Sequence, residues 1–235
     1  MRTTTKSRPV QVVEDLLSAD PKLASRADSD DRLPVHWACS YNHLAIVRLL
    51  SESTFFDVDA ADGSGWTPLM IACSIKDSDA LVDFLLGRDA DANAKSNGGQ
   101  TALHFCVSKA NLPLARKLLD HKASTRTKDR HSQLPLHRAA AVGSTPLVKL
   151  LLEHNSPINA QDVSGLTALH HAMAEGHGDT AMALLRKGAA SDRLDEEGRL
   201  PIQCAPDKKV GGFVLNMAED EGIDVALPAF AVERG

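Results

Sequence analysis

The chain has 235 residues, with 26 Lys and Arg against 31 Asp and Glu and a formal charge of −5. Hydrophobic residues make up 43% and charged residues 24%, which argues against both intrinsic disorder and a membrane-embedded chain. The weakly acidic balance, with no visible basic stripe to neutralise phosphates, argues against a nucleic-acid binder.

In chain order, residues 1–10 carry Arg2, Lys6 and Arg8, but no apolar stretch follows and Glu14, Asp15 and Asp20 come almost at once. Neither a secretory signal nor a transit peptide is expected. No run approaches the roughly 18 apolar residues of a transmembrane helix. Val12, Val13, Leu16 and Leu17, followed by Leu23 and Ala24, read as the outer helix and exit of a unit that has lost its first half. A polar capping repeat is expected there, because the first unit has no neighbour to cover one face.

From residue 33 onward the sequence repeats itself. Leu33-Pro34-Val35-His36, Thr67-Pro68-Leu69-Met70, Thr101-Ala102-Leu103-His104, Leu134-Pro135-Leu136-His137, Thr167-Ala168-Leu169-His170 and Leu200-Pro201-Ile202-Gln203 have third members spaced 34, 34, 33, 33 and 33 residues apart. Small residues follow each anchor, then a polar break near Asn42, Lys76, Ala110, Gly143 and Gly176, then a second apolar helix ending in a Leu pair such as Leu49-Leu50 or Leu151-Leu152. This is the ankyrin pattern of a turn and two helices. Proline at the second anchor position suits the first turn of a helix, where its missing N–H has no partner to lose, and the preceding Thr can cap. Ala and Cys on the inner helix allow close approach of the next unit, and the scarcity of aromatic residues, 4% of the chain, follows from such stacking. Asp62-Gly63-Ser64-Gly65, Ser96-Asn97-Gly98-Gly99, Asp162-Val163-Ser164-Gly165 and Asp195-Glu196-Glu197-Gly198 have the Asx and Gly chemistry of tight turns and mark the tips of fingers between units.

The last anchor opens a degenerate repeat, with Pro206 and Gly211-Gly212 in its middle and a short helix from Phe213 to Met217 as the C-terminal cap. The expected fold is therefore all-α, an ankyrin-repeat solenoid of seven helix-turn-helix units with β-hairpin-like fingers. It forms a single domain over residues 1–224, with a tail over 225–235.

Chemistry that would mark an enzyme is missing from the sequence: there is no Walker loop, dinucleotide fingerprint, zincin helix or nucleophile elbow. His36, His104, His137 and His170 share the fourth anchor position, where the imidazole is expected to hydrogen-bond to backbone of adjacent turns rather than to a metal. Cys39, Cys73, Cys106 and Cys204 are far apart, with no CxxC pair. They read as small hydrophobic side chains of a chain in a reduced intracellular compartment. No catalytic residue, metal or cofactor is expected.

A partner is expected on the concave surface that such a stack offers, built from finger tips and the exposed side of the inner helices. The first positions after the anchors read Trp37, Ile71, Phe105, Arg138 and His171; four positions on they read Tyr41, Ile75, Lys109, Val142 and Glu175. Trp37, Tyr41 and Trp66 fall on this surface or at a finger, and Trp, Tyr and Arg dominate interface hot spots. The two Trp side chains suit equally the packing of finger against helix. Charge is graded: Asp30, Asp31 and Asp62 lie in the first fingers, and Lys109, Arg130 and Arg138 lie in the middle units. Such an order steers a partner of the opposite order.

Several segments go beyond a general ankyrin match. Leu23 to Arg32, Val35-His-Trp-Ala-Cys-Ser40, Gly65-Trp66, Val107-Ser-Lys109 and His137-Arg-Ala-Ala-Ala-Val-Gly143 resemble the gankyrin family and its fungal counterparts. The resemblance implies a chaperone for assembly of the proteasome regulatory particle, which holds the C-terminal domain of one ATPase subunit in its concave face and prevents premature docking on the proteolytic core. It further implies an interface of complementary charge, with Asp30 and Arg32 in the first finger, Lys109 and Arg138 further on, and Trp37, Ser40 and Trp66 nearby. The sequence departs from the family at Tyr41-Asn42, where a small residue and Gly are usual, and in its longer C-terminal tail. The expectation is a monomer of cytoplasm and nucleus that binds neither nucleic acid nor membrane. A kinase inhibitor or signalling scaffold of the ankyrin type is the alternative.

Overall fold

A computed structural model describes residues 8–228 of the chain. They form two compact units, the first ending at Phe105 and the second starting at Cys106. The first contains α1 (Arg8–Ala19), a 3₁₀ turn (Pro21–Ser25), α2 (Pro34–Ser40), α3 (Leu44–Leu50), α4 (Pro68–Ser74) and α5 (Asp79–Leu86). Helix α6 (Ala102–Ser108) contributes its first half to one unit and its second half to the other. The second unit continues with α7 (Leu112–Asp120), α8 (Pro135–Ala141), α9 (Thr145–Glu153), α10 (Ala168–Ala174), α11 (Gly178–Leu185), a 3₁₀ turn (Pro201–Cys204) and α12 (Lys208–Asp220). No strand is present among the described residues, so the fold is all-α and the fingers are turns without a β ladder.

Local chemistry sets each helix start. Pro34, Pro68 and Pro135 stand at the first turn of α2, α4 and α8, where their fixed φ is already helical. The anchor imidazoles do the work of the third residue of a capping box. Nδ1 of His36, His104, His137 and His170 accepts the backbone N–H of Leu33, Thr101, Leu134 and Thr167 at 2.9, 3.1, 2.9 and 3.1 Å. At α10 the box is complete, because Thr167 Oγ1 in turn accepts the N–H of His170. With Nδ1 an acceptor, Nε2 carries the proton and donates to the next turn, to the carbonyl of Ala60 from His36, of Ala160 from His137 and of Arg199 from His170. One buried side chain thus caps its own helix and ties it to the following segment.

Left-handed backbone recurs at three places in the repeat: between the two helices, after the outer helix, as at Asp89, Lys122, Asn155 and Gly188, and at the finger tip, as at Gly65, Gly99, Ser132 and Gly165. Asn42, Asp77, Ala110, Gly143 and Gly176 turn the chain between inner and outer helices with φ of 54, 53, 54, 68 and 75°. The expected break at Lys76 falls one residue later, at Asp77, in one of the longer repeats. Within each unit the layers are filled by Leu, Ala and Cys: Leu69, Ala72, Cys73, Leu81 and Leu85 are buried in the first, Leu136, Ala139, Leu147, Leu151, Ala172 and Leu184 in the second. Each large side chain so buried is worth about 1.5–3 kcal/mol.

The two ends differ from expectation. Helix α1 packs against α3 but buries none of its residues, and Val12 and Leu16 face solvent where a polar cap was expected. They lie one residue, about 100° of helical turn, from the half-buried Val13 and Leu17. At the other end the inner helix shrinks to the 3₁₀ turn, since Pro206 forces Ala205 into extended backbone, φ −58° and ψ 133°. The final helix starts at Lys208 and not at Phe213. Asp207 caps it by accepting the N–H groups of Lys209 and Val210 at 2.8 and 2.9 Å, which carries Gly211 and Gly212 inside the helix. Of the expected tail, residues 229–235 lie outside the described residues; Ala226 donates its N–H to Ser191 Oγ at 3.0 Å.

Candidate protein-binding site

The fingers are held by a repeated carboxylate. In five fingers an Asp turns its Oδ1 to two backbone N–H groups, two and four residues on; in the finger at 96–100 Ser96 stands in its place and its Oγ accepts the N–H of Gln100. Asp28 takes the N–H groups of Asp30 and Arg32, Asp62 those of Ser64 and Trp66, Asp129 those of His131 and Gln133, Asp162 those of Ser164 and Leu166, and Asp195 those of Glu197 and Arg199. The turn leaves Oδ2 free to reach the inner helix, and three times it grips the side chain nine residues on. Trp37 Nε1 donates to Asp28 at 2.8 Å, Arg138 Nη2 to Asp129 at 3.0 Å, and His171 Nε2 lies 2.9 Å from Asp162. In the finger of Asp62 the partner comes from the preceding finger instead, Arg32 Nε at 3.3 Å.

These contacts fix the electrostatics. The hydrogen bond from Trp37, then the N–H of Arg32, hold the Asp28 carboxyl below its usual range. Burial works against Asp129, yet the Arg138 guanidinium and the N–H groups of Gln133 and His131 outweigh it and hold the group low. Asp162 behaves likewise, with His171 and Gln133 opposing its burial. His137 is pushed down to about 4, first by burial and then by the neighbouring His171, whose ring meets it edge-on at 5.6 Å. The buried anchor imidazole is therefore neutral at physiological pH.

In the first unit four of the expected partner-binding residues converge. The Arg32 guanidinium lies 5.1 Å from the centre of the Trp37 ring, Trp37 stacks on Tyr41 at 6.4 Å, and Tyr41 stacks on His43 at 6.2 Å. Arg32 also reaches Asp62. Trp37 is 42% exposed and Tyr41 67%, so one end of α2 offers an aromatic surface that the fold leaves uncovered. Asp30 is exposed beside it in the finger. Ser40 turns its hydroxyl back to the carbonyl of His36, 2.9 Å away. Trp66 stands apart from this cluster, half-buried against Phe105 with ring centres 4.1 Å apart. Asp62, expected as a surface charge, is buried with both oxygens engaged inside the chain.

In the second unit, Lys109 is exposed just beyond α6 and Arg130 is exposed in the finger. Arg138 is half-buried on α8 and held by Asp129, with its Nε buried and without a hydrogen-bond partner. Sequence reasoning missed the carboxylate staple itself. Its signal was present: Asp28, Asp129 and Asp162 stand nine residues before Trp37, Arg138 and His171.

A family model described as ankyrin repeats (3 copies) matches residues 4–96, 69–162 and 136–225. The chain belongs to the ankyrin-repeat family. It is 36% identical over 110 residues, 46% of its length, to an ankyrin repeat-containing protein of Schizosaccharomyces pombe, covering 47% of that protein. It is 41% identical over 101 residues to the Saccharomyces cerevisiae protein named "Probable 26S proteasome regulatory subunit p28", covering 41% of this chain and 44% of that one. Identity to human 26S proteasome non-ATPase regulatory subunit 10 is 37% over 62 residues, 26% of this chain and 27% of the human one. The matches span less than half the length of each of these relatives.

Proposed function

We propose that the chain is a non-catalytic binding protein of the proteasome regulatory particle. In this reading it is an assembly chaperone of the gankyrin type that holds the C-terminal domain of a regulatory-particle ATPase subunit and keeps the particle from docking prematurely on the proteolytic core. The observation that carries the reading is the similarity to 26S proteasome regulatory subunits, 41% identity over 101 residues in the yeast case. The geometry supports a protein partner: the exposed Trp37–Tyr41 pair with Arg32 beside it has the composition of an interface hot spot. Lys109, Arg130 and Arg138 supply cations on the second unit, and Asp30 an acid on the first. Binding needs no cofactor and occurs as a monomer, in cytoplasm and nucleus.

The test is purification of the tagged full chain from cells with mass spectrometry of what accompanies it, followed by reconstitution with isolated ATPase C-terminal domains. The reading expects one ATPase subunit in stoichiometric amount and weaker binding after charge reversal at Arg32 or Lys109 and in raised salt. Recovery of kinases in place of proteasomal subunits would select the inhibitor or scaffold reading.

A further inference from the structure

The finger at 96–100 differs from the others in its chemistry. Ser96 stands where the other fingers have Asp, and its Oγ accepts the N–H four residues on, from Gln100 at 3.2 Å. The N–H two residues on is left over. Asp62, Asp129, Asp162 and Asp195 each hold that group, on Ser64, His131, Ser164 and Glu197. Its counterpart on Gly98 donates to no group among the described residues.

This unengaged N–H follows Asn97, in the one Asn-Gly pair of the chain. Asparagine is a thermolabile residue, because the next backbone nitrogen can attack its side-chain amide carbon, and glycine has no side chain to hinder that approach. After Asn42, Asn93, Asn155 and Asn159 the corresponding N–H is bound to a carbonyl, of Ala38, Asp91, Leu151 and Pro157. Asn97 is exposed, and among the described residues its amide makes one hydrogen bond, from Nδ2 to the Gly63 carbonyl at 3.0 Å. An accessible amide and an uncommitted nitrogen are thus adjacent in one finger tip.

We propose that Asn97-Gly98 is a self-modifying site, at which the Gly98 nitrogen attacks Asn97 and its amide becomes a carboxylate. The nitrogen gives its proton to water and bonds to Cγ of Asn97. Nδ2 takes up a proton and leaves as ammonia, which closes a five-membered succinimide. Water then opens the ring. Cleavage of the bond to Cγ gives an ordinary aspartyl residue; cleavage at the main-chain carbonyl gives the iso form, in which the chain runs through the side chain. One water is consumed for each ammonia released. Either product sets a negative charge near the Gly63 carbonyl and removes the Nδ2 bond that ties this finger to the one before it. Ser96, Asn97 and Gly98 lie outside the proposed partner surface, so the inference is independent of the proteasomal reading.

The test incubates the purified full chain in water enriched in heavy oxygen, at neutral and mildly alkaline pH. Peptides are then mapped by mass spectrometry, with fragmentation that separates aspartyl from isoaspartyl chains. Label should enter at Asn97 ahead of Asn42, Asn93, Asn155 and Asn159, in both product forms, and faster as pH rises. Ser96→Asp is the decisive variant. It rebuilds the staple at a position where Asp62, Asp129, Asp162 and Asp195 are buried in their own fingers, so its circular dichroism should match the parent's. Conversion should slow about tenfold, the effect of one hydrogen bond to a charged acceptor that must break before attack. Gly98→Ala decides if that variant misfolds: its Cβ would meet only ordinary contacts, Ser96 Oγ at 3.6 Å and Gln100 Oε1 at 3.8 Å, and it should slow the reaction by crowding the nitrogen. The proposal is overturned if the Asn97 amide survives in the folded chain while the urea-unfolded chain loses it, or if either folded variant reacts at the parent's rate.

Discussion

Replacing Asp62 with Ala removes one finger staple, and the structure sets the size of the effect. Oδ1 accepts the N–H groups of Ser64 and Trp66, both at 2.9 Å, and Oδ2 accepts Arg32 Nε at 3.3 Å. Ser64 is exposed, so water takes over that N–H; Trp66 is half-buried and its N–H is only partly resolvated. Losing these charge-assisted bonds costs about 1.5–3 kcal/mol. The Arg32 pair, a third of whose cationic partner is exposed, adds about 0.2–1 kcal/mol. The expected total is about 2–4 kcal/mol, a drop in Tm of about 5–15 °C for a chain of this length. Asp62→Asn keeps an acceptor for the two N–H groups but places an amide against Arg32, and should cost about half as much. Asp30→Ala is the control, because the Asp30 carboxylate is exposed and only its backbone is engaged, the N–H by Asp28 Oδ1 and the carbonyl by Gly63 N–H; it should stay within about 0.5 kcal/mol. Urea and thermal unfolding of the three variants decide the matter. If Asp62→Ala costs no more than Asp30→Ala, the carboxylate does not hold the finger.

Gly65 sits at φ +75°, and a Cβ there would lie 2.7 Å from both the backbone N and Oδ1 of Asn97; Gly65→Ala should therefore cost about 1–3 kcal/mol in urea unfolding. His137, held near 4 in the fold and close to 6.5 when unfolded, binds its proton more readily in the unfolded chain. Stability should then be lost as pH falls from 6.5 towards 4, by up to about 3 kcal/mol. His137→Gln, which retains a side-chain acceptor as Gln203 does for the N–H of Leu200, should flatten that slope. Burial pushes the Cys39 and Cys73 thiols up to about 12, so iodoacetamide should label half-buried Cys204 first and reach the other two only after unfolding, as peptide mapping would show.

Much of this architecture is readable from local chemistry. The anchor prolines stand where a first helical turn loses nothing by them, and the anchor histidines bond to adjacent backbone, because both roles depend on neighbours close in sequence. The start of the last helix is equally local, since Asp207 is a strong N-cap, but Gly211 and Gly212 have low helix propensity and so disguise the helix that contains them. What the sequence could not display was the second oxygen of the finger carboxylates. Whether that oxygen meets Trp37, Arg138 or His171, or turns to Arg32 of the preceding finger, depends on packing between segments. For the same reason Asp62 looks like a surface charge in the sequence and is buried in the fold. Trp37 and Arg138 each hold a finger in place, and Trp37 does so while remaining substantially exposed. Trp66, by contrast, is largely occupied by Phe105, and Tyr41, the residue that departs from the family pattern, is left as the most exposed ring of the first unit.

The most direct measurement of the proposed function is calorimetric titration of the purified full chain with the C-terminal domain of each regulatory-particle ATPase subunit. The account predicts a one-to-one complex with one of them, weakened by Tyr41→Ala and by charge reversal at Arg32 or Lys109, and progressively lost as salt is raised. No heat with any ATPase domain, or a complex indifferent to all three substitutions, would contradict it.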